Sequence, residues 1–235
     1  MNKKMPFAEQ IMRFNSKLSD ESFDLPAGVK VMNPYNGAQK DQVIKAASAF
    51  YQKYYNDTNP RRMILGSTPA RRGSSATGVP FVEAGHLFNE TGIYIDKFYI
   101  NQPSSGFIYD VIREYGGFRK FYTDFYMNFV CPLGLSRINS NGSEVNCNYY
   151  ENHRLQEILK PFIIRSIRSQ IEFGIDTSVC YCIGSGKNFD FLTKINAEHK
   201  FFDNIIPLEH PRFIMQYNSK QKDQFIEKYI KALSI

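Results

Sequence analysis

Nowhere in these 235 residues is there a run of about twenty apolar side chains, and no secretory leader opens the chain. The expectation is a soluble protein of a reducing, cytoplasmic compartment with no membrane partner. Cysteine is scarce: Cys131, Cys147, Cys180 and Cys182 are separated by 15, 32 and one residue, which is no metal-ligand spacing. Cys180 and Cys182 alternate within an apolar run and read as core thiols on one side of a strand. The usual phosphate signatures are missing too. The Gly-rich stretch after Leu65 is closed by no Gly-Lys-Ser/Thr and contains no Gly-x-Gly-x-x-Gly. Gly184-Ser185-Gly186-Lys187 reads as a tight strand-to-helix turn in preference to a phosphate site. Nor does any shift in composition mark a domain boundary.

What is present can build a core, with 43% hydrophobic and 15% aromatic residues, and a formal charge of +6 permits a polyanionic partner without proving one. Phe7, Ile11, Phe14 and Leu18 have helical spacing, and Val43, Ala47, Phe50 and Tyr54 repeat it over 38–57. Val29 to Asn33 reads as a short extended piece between these two helices. Residues 82–101 read as loop with a short strand at 92–95. Ser104-Ser105 caps a helix to Glu114, and a short one covers 117–124. Residues 137–150, rich in Asn, read as a surface loop. A helical stretch over 151–173 is kinked or divided by Pro161, and a last helix runs from Ser219 to Leu233. Strands are expected at 63–65, 126–130, 178–183 and 204–208. Their alternation with helices implies an α/β fold of three layers, α/β/α, around a central four-stranded, mainly parallel sheet. One domain over 1–235 is expected, with a helical extension of about 57 residues packed on it. Ligands of such sheets bind at the carboxyl ends of the strands.

The segments at those ends carry the chemistry. After Leu65 comes Gly66-Ser67-Thr68-Pro69, then Gly73, then Thr77-Gly78-Val79-Pro80-Phe81. This is similar to the first motif of the single-strand-selective monofunctional uracil-DNA glycosylases: Gly-x-Asn-Pro, a Gly four residues on, then Thr-Gly-Val-Pro-Phe. Glu209-His210-Pro211 after Leu208 resembles the His-Pro motif of the wider uracil-DNA glycosylase superfamily. Asn128-Phe129-Val130-Cys131-Pro132-Leu133 resembles the family's Asn and Cys-Pro-Leu. Three motifs in order span most of the chain, and they look most like a bacterial branch of the family. Some superfamily relatives hold an iron–sulfur cluster on four Cys, but the reading here is of no metal and no cofactor.

The resemblance implies a monofunctional DNA glycosylase that hydrolyses the bond between sugar and uracil, or a related deaminated base such as xanthine, leaving an abasic site. That reaction needs donors for the negative charge gathering on the base and a polar group to place a water. By resemblance His210 is the donor and Thr68 holds the water, in place of the family's Asn, so slow catalysis is expected. Phe81 would stack on the extruded base, or else be a core Phe. Asn128 would read the base edge, an amide offering donor and acceptor in one plane, or else cap the strand end. Gly66 and Ser67 belong to the base-binding turn, and Ala70 is small enough to leave room beside the base. Arg71 and Arg72 are phosphate contacts or a solvated turn. Arg212 and Phe213 are a wedge into DNA or a helix start with Phe213 inward. No Lys lies within the three motifs, so no Schiff-base step is suggested. The alternative is a module, acting as a monomer like the enzyme, that binds damaged or single-stranded DNA without cutting it. A different small-molecule hydrolase would make the motif coincidence accidental.

Overall fold

The computed structural model describes residues 4–96 and 102–235. In chain order the elements are α1 (Phe7–Leu18), β1 (Val29–Met32), α2 (Lys40–Tyr55), β2 (Arg61–Gly66), α3 (Ser74–Thr77) and α4 (Ala84–Thr91). Then come α5 (Gln102–Glu114), α6 (Phe118–Asp124), β3 (Phe125–Phe129), β4 (Gly134–Ile138), β5 (Glu144–Cys147) and α7 (His153–Ile171). The chain finishes with β6 (Ile175–Ile183), α8 (Lys187–His199), β7 (Asn204–Leu208), α9 (Pro211–Tyr217), a 3-10 turn at Ser219–Gln221 and α10 (Lys222–Leu233). Among the described residues no helix is long and apolar enough to cross a membrane.

The central sheet has the order β3-β2-β6-β7 and is parallel throughout. Helices cover both faces, so its strands read as continuous apolar runs; Met63, Ile64 and Leu65 are all buried, and so is every residue of β3. Because all four strands run one way, the ends of β2, β3 and β7 open on the same edge. The amino-terminal helix packs by its aromatic stripe, Phe7 meeting Tyr55, Tyr126 and Phe173 edge-on or stacked. At the opposite edge Arg61 is buried with its guanidinium 2.8 Å from the Asp57 carboxylate and 4.9 Å from the ring centroids of both Phe7 and Tyr55.

Four sequence expectations need correction. Residues 137–150 are no surface loop: β4 and β5 form a hairpin that joins β1 in a second, antiparallel sheet of order β1-β4-β5. Asn139 Oδ1 accepts from the backbone of Asn141 and Ser143, and Gly142 takes a φ of 73°, so polar turn chemistry closes the hairpin. Residues 84–91 form a helix, because the Glu83 carboxylate accepts from the N–H groups of Gly85 and His86 at its start. No strand forms over 92–95, and the rest of that expected loop, 97–101, lies outside the described residues. Finally, of the kink or division expected at Pro161, the division does not occur: α7 runs through it as one helix. Its inner stripe of Leu155, Leu159, Phe162, Ile163 and Ile167 is buried, while Pro161 is exposed on the outer face.

Candidate functional site

A cleft of about 1310 Å³ lies over the carboxyl ends of β2, β3 and β7. One wall is the loop that leaves β2. Small residues let it turn back, and the backbone of Val130 and Cys131 donates to the carbonyls of Gly66 and Ser67 at 2.7 and 3.0 Å. This places Ser67, Thr68, Ala70, Arg71 and Arg72 on the cleft. Phe81 ends the loop on the same cleft. Its φ is 61°, one of two positive values at non-glycine positions among the described residues, and its N–H donates to Ser74 Oγ at 2.8 Å. A bulky residue in that region is held there by its surroundings at an energetic cost, a pattern that concentrates at ligand sites.

The second wall is the β4–β5 hairpin and the turn after it. Ser67 Oγ donates to Asn148 Oδ1 at 3.0 Å, the Arg71 backbone N–H donates to Asn146 Oδ1 at 2.8 Å, and Arg71 lies 3.9 Å from the Glu144 carboxylate. The Thr68 hydroxyl accepts a long contact, 3.5 Å, from the Tyr149 N–H. Asn146, Asn148 and Tyr150 line the cleft and were missed in the sequence. The signal for them was present: Asn141-Gly142 is a strong hairpin turn, and alternation from it puts Asn146 and Asn148 on one side.

The third wall is His210 and α9. Tyr229 of α10 donates to the Glu209 carbonyl, which fixes the turn, and Pro211 takes the first helical position. His210 caps the helix, its Nδ1 accepting from the Arg212 N–H at 3.0 Å. Nδ1 is therefore unprotonated and the ring proton sits on Nε2. Burial, with the nearby Arg212 cation second, pushes the imidazole down to about 4, so it is a neutral donor at neutral pH. Arg212 and Phe213 follow it on the cleft. The helix start is real, but Ile214 takes the inward position, and Phe213 is 48% exposed beside Tyr217 at 70%.

Two sequence-predicted residues are not on the cleft wall. Gly66 lies beneath it, and a Cβ there would come within 2.6 Å of the Phe81 ring and 2.8 Å of Phe129. Asn128 points the other way, which corrects the expectation that it faces a base. Its Nδ2 donates to Tyr126 Oη and Gln170 Oε1, and its Oδ1 accepts from the Phe129 N–H. The strand-end role is the one these bonds fit. Parity along β3 puts Phe129, not Asn128, into the cleft. The four cysteines are free and buried, with Cys131, Cys147 and Cys182 pushed up to about 12 by burial. Among the described residues no group of three or more His, Cys, Asp or Glu could hold a metal, so a four-cysteine cluster does not fit.

The chain's relatives agree with this geometry. No curated protein matches the sequence. A solved structure described as wild-type SMUG2 of Pedobacter heparinus superposes with a TM-score of 0.92 at 45% identity, covering 98% of this chain and 97% of that one. The family model of the uracil DNA glycosylase superfamily matches residues 52–234. With both the parallel sheet and the three motif turns in place, this chain belongs to the uracil DNA glycosylase superfamily, as a member of its SMUG-like branch.

Proposed function

We propose that this DNA glycosylase is monofunctional and removes uracil or a related deaminated base, xanthine among them, from DNA, leaving an abasic site. The observation that carries the reading is the tautomer of His210. With Nδ1 committed to the Arg212 N–H, Nε2 is the ring's donor on a side chain lining the cleft. Facing the oxygen of a departing base, a neutral donor in a partly dry site stabilises the anion as the sugar bond breaks. Thr68 lines the same cleft, and its hydroxyl, engaged among the described residues by the long Tyr149 contact, is available to a water. Such a hydroxyl orients water without deprotonating it, which supports slow turnover. Among the described residues lining the cleft there is no Lys to form a Schiff base. Arg71, Arg72 and Arg212 stand at the rim as partners for phosphate, and Phe213 as an outward ring to fill the place of an extruded base.

A second reading rests on Thr68: without the amide of its family, the cleft binds damaged or single-stranded DNA and does not cut it. Single-turnover assays on oligonucleotides carrying uracil or xanthine separate the two. Cleavage is expected, falling by about 10² to 10³-fold in His210→Ala and rising in Thr68→Asn. DNA binding without any abasic product would leave the second reading, and loss of both would remove the two together.

A further inference from the structure

Phe129 lies within the central motif, yet the resemblance assigns it no role, and it lines the cleft. Its ring lies on that of Phe81, centroids 4.8 Å apart and planes 19° from parallel, so one face of Phe81 is already covered. The tips of both rings meet over Gly66. Phe129 also borders a small cavity of about 10 Å³ lined in part by Asn15, Tyr35, Tyr51 and Asn128. Such a volume is about that of one water probe. The Tyr35 and Tyr51 hydroxyls donate to the Gly78 carbonyl at 2.6 and 3.4 Å. Asn15 is only 4% exposed, and its Nδ2 finds at most a weak partner in the neighbouring Tyr51 hydroxyl. Phe129, 5% exposed, borders the cleft on one side and this cavity on the other. The Phe129 ring, with Pro69 and Ser74, thus stands between the cleft and a polar-ended hollow.

We propose that Phe129 sets the depth of the base slot and so decides between one-ring and two-ring bases, an inference that rests on the glycosylase reading above. A pyrimidine needs only the cleft side of Phe81. The second ring of a purine extends the base, and with Phe129 in place its far edge meets hydrocarbon. Shortening Phe129 joins cleft and cavity and brings the Asn15 amide within the slot, where it donates to a carbonyl oxygen such as those of xanthine. The direction is favourable because a carbonyl oxygen is a stronger acceptor for that amide than the Tyr51 hydroxyl it now faces.

The test compares single-turnover cleavage of xanthine and uracil in matched oligonucleotides by the wild type, Phe129→Leu, Phe129→Ala and Phe129→Ala with Asn15→Leu. The xanthine-to-uracil ratio is expected to rise about tenfold or more in Phe129→Ala, to rise less in Phe129→Leu, and to fall back in the double variant. An unchanged ratio in both single variants, with uracil still cut, overturns the proposal and leaves the glycosylase reading standing. Should Phe129→Ala not fold, Phe129→Leu alone decides in the same way. If no protein cuts any base, saturation-transfer NMR with free uracil and free xanthine decides. A stronger transfer to xanthine once Phe129 is shortened upholds the slot, and an unchanged transfer overturns it.

Discussion

Gly66 shows how much one side chain's absence contributes. Two aromatic rings close over it, and a methyl group there would collide with both. Gly66→Ala is therefore expected to push Phe81 out of place and lower single-turnover cleavage by about 10²-fold, as misplacements of about 1 Å do, with circular dichroism unchanged. His210 makes the pH prediction. Its folded-state value of about 4 lies below the ordinary 6.5, so between them the unfolded chain binds a proton that the folded chain refuses. Stability is then present above 6.5 and falls as the pH drops toward 4. His86, also lowered by burial first, acts in the same sense. Melting measured over that window should show a smaller fall in His210→Gln than in the wild type. An equal fall would mean that the imidazole is not held neutral.

At the scale of elements, α7 continues through a residue that ends most helices. Its packed stripe against the sheet outweighs the missing bond at Pro161. Since Pro161 is exposed and the helix unbroken, Pro161→Ala is expected to raise stability by about 1 kcal/mol or more, seen as a higher urea midpoint at constant slope. The helix α9 divides its residues by face: Ile214 inward, Phe213 and Tyr217 outward. Elements with a strong period or a continuous apolar run were legible in the sequence: α1, α2 and the four parallel strands lie where spacing put them, within a few residues, whereas α5 starts at Gln102, ahead of the Ser104-Ser105 pair read as its cap. The β4–β5 hairpin was not, because its side chains are mostly polar and its partner strand β1 lies about a hundred residues earlier. The strands pair with each other and with β1, and the one local signal of this was the Asn141-Gly142 turn. The helix α4 was hidden for a different reason, its start being signalled by one capping carboxylate and not by a stripe.

At the scale of the molecule, a charge of +6 is modest, and what matters is where the cations stand. Arg71, Arg72 and Arg212 share the rim of one cleft. If they meet phosphates, the logarithm of DNA affinity falls linearly with that of salt. Arg212→Ala should lower the slope by about 0.7 on single strands and about 0.9 on duplex, one contact's worth. A slope unaltered by the substitution would place Arg212 off the DNA path. The same architecture explains the cleft itself. Four parallel strands end on one edge, so segments separated by more than a hundred residues converge there without further instruction.

From the order of residues alone came the parallel sheet, the turns at its carboxyl edge, and the meeting of Thr68, Phe81 and His210 around one cleft. These follow from local rules: apolar runs, small residues at turns, and a His-Pro pair after a strand. Folding decided which of two neighbours, Asn128 or Phe129, enters the cleft, and it brought the hairpin amides up as the second wall. The reason is geometric. Along a strand a shift of one residue exchanges the two faces, and when both faces are buried no polarity pattern records which is which.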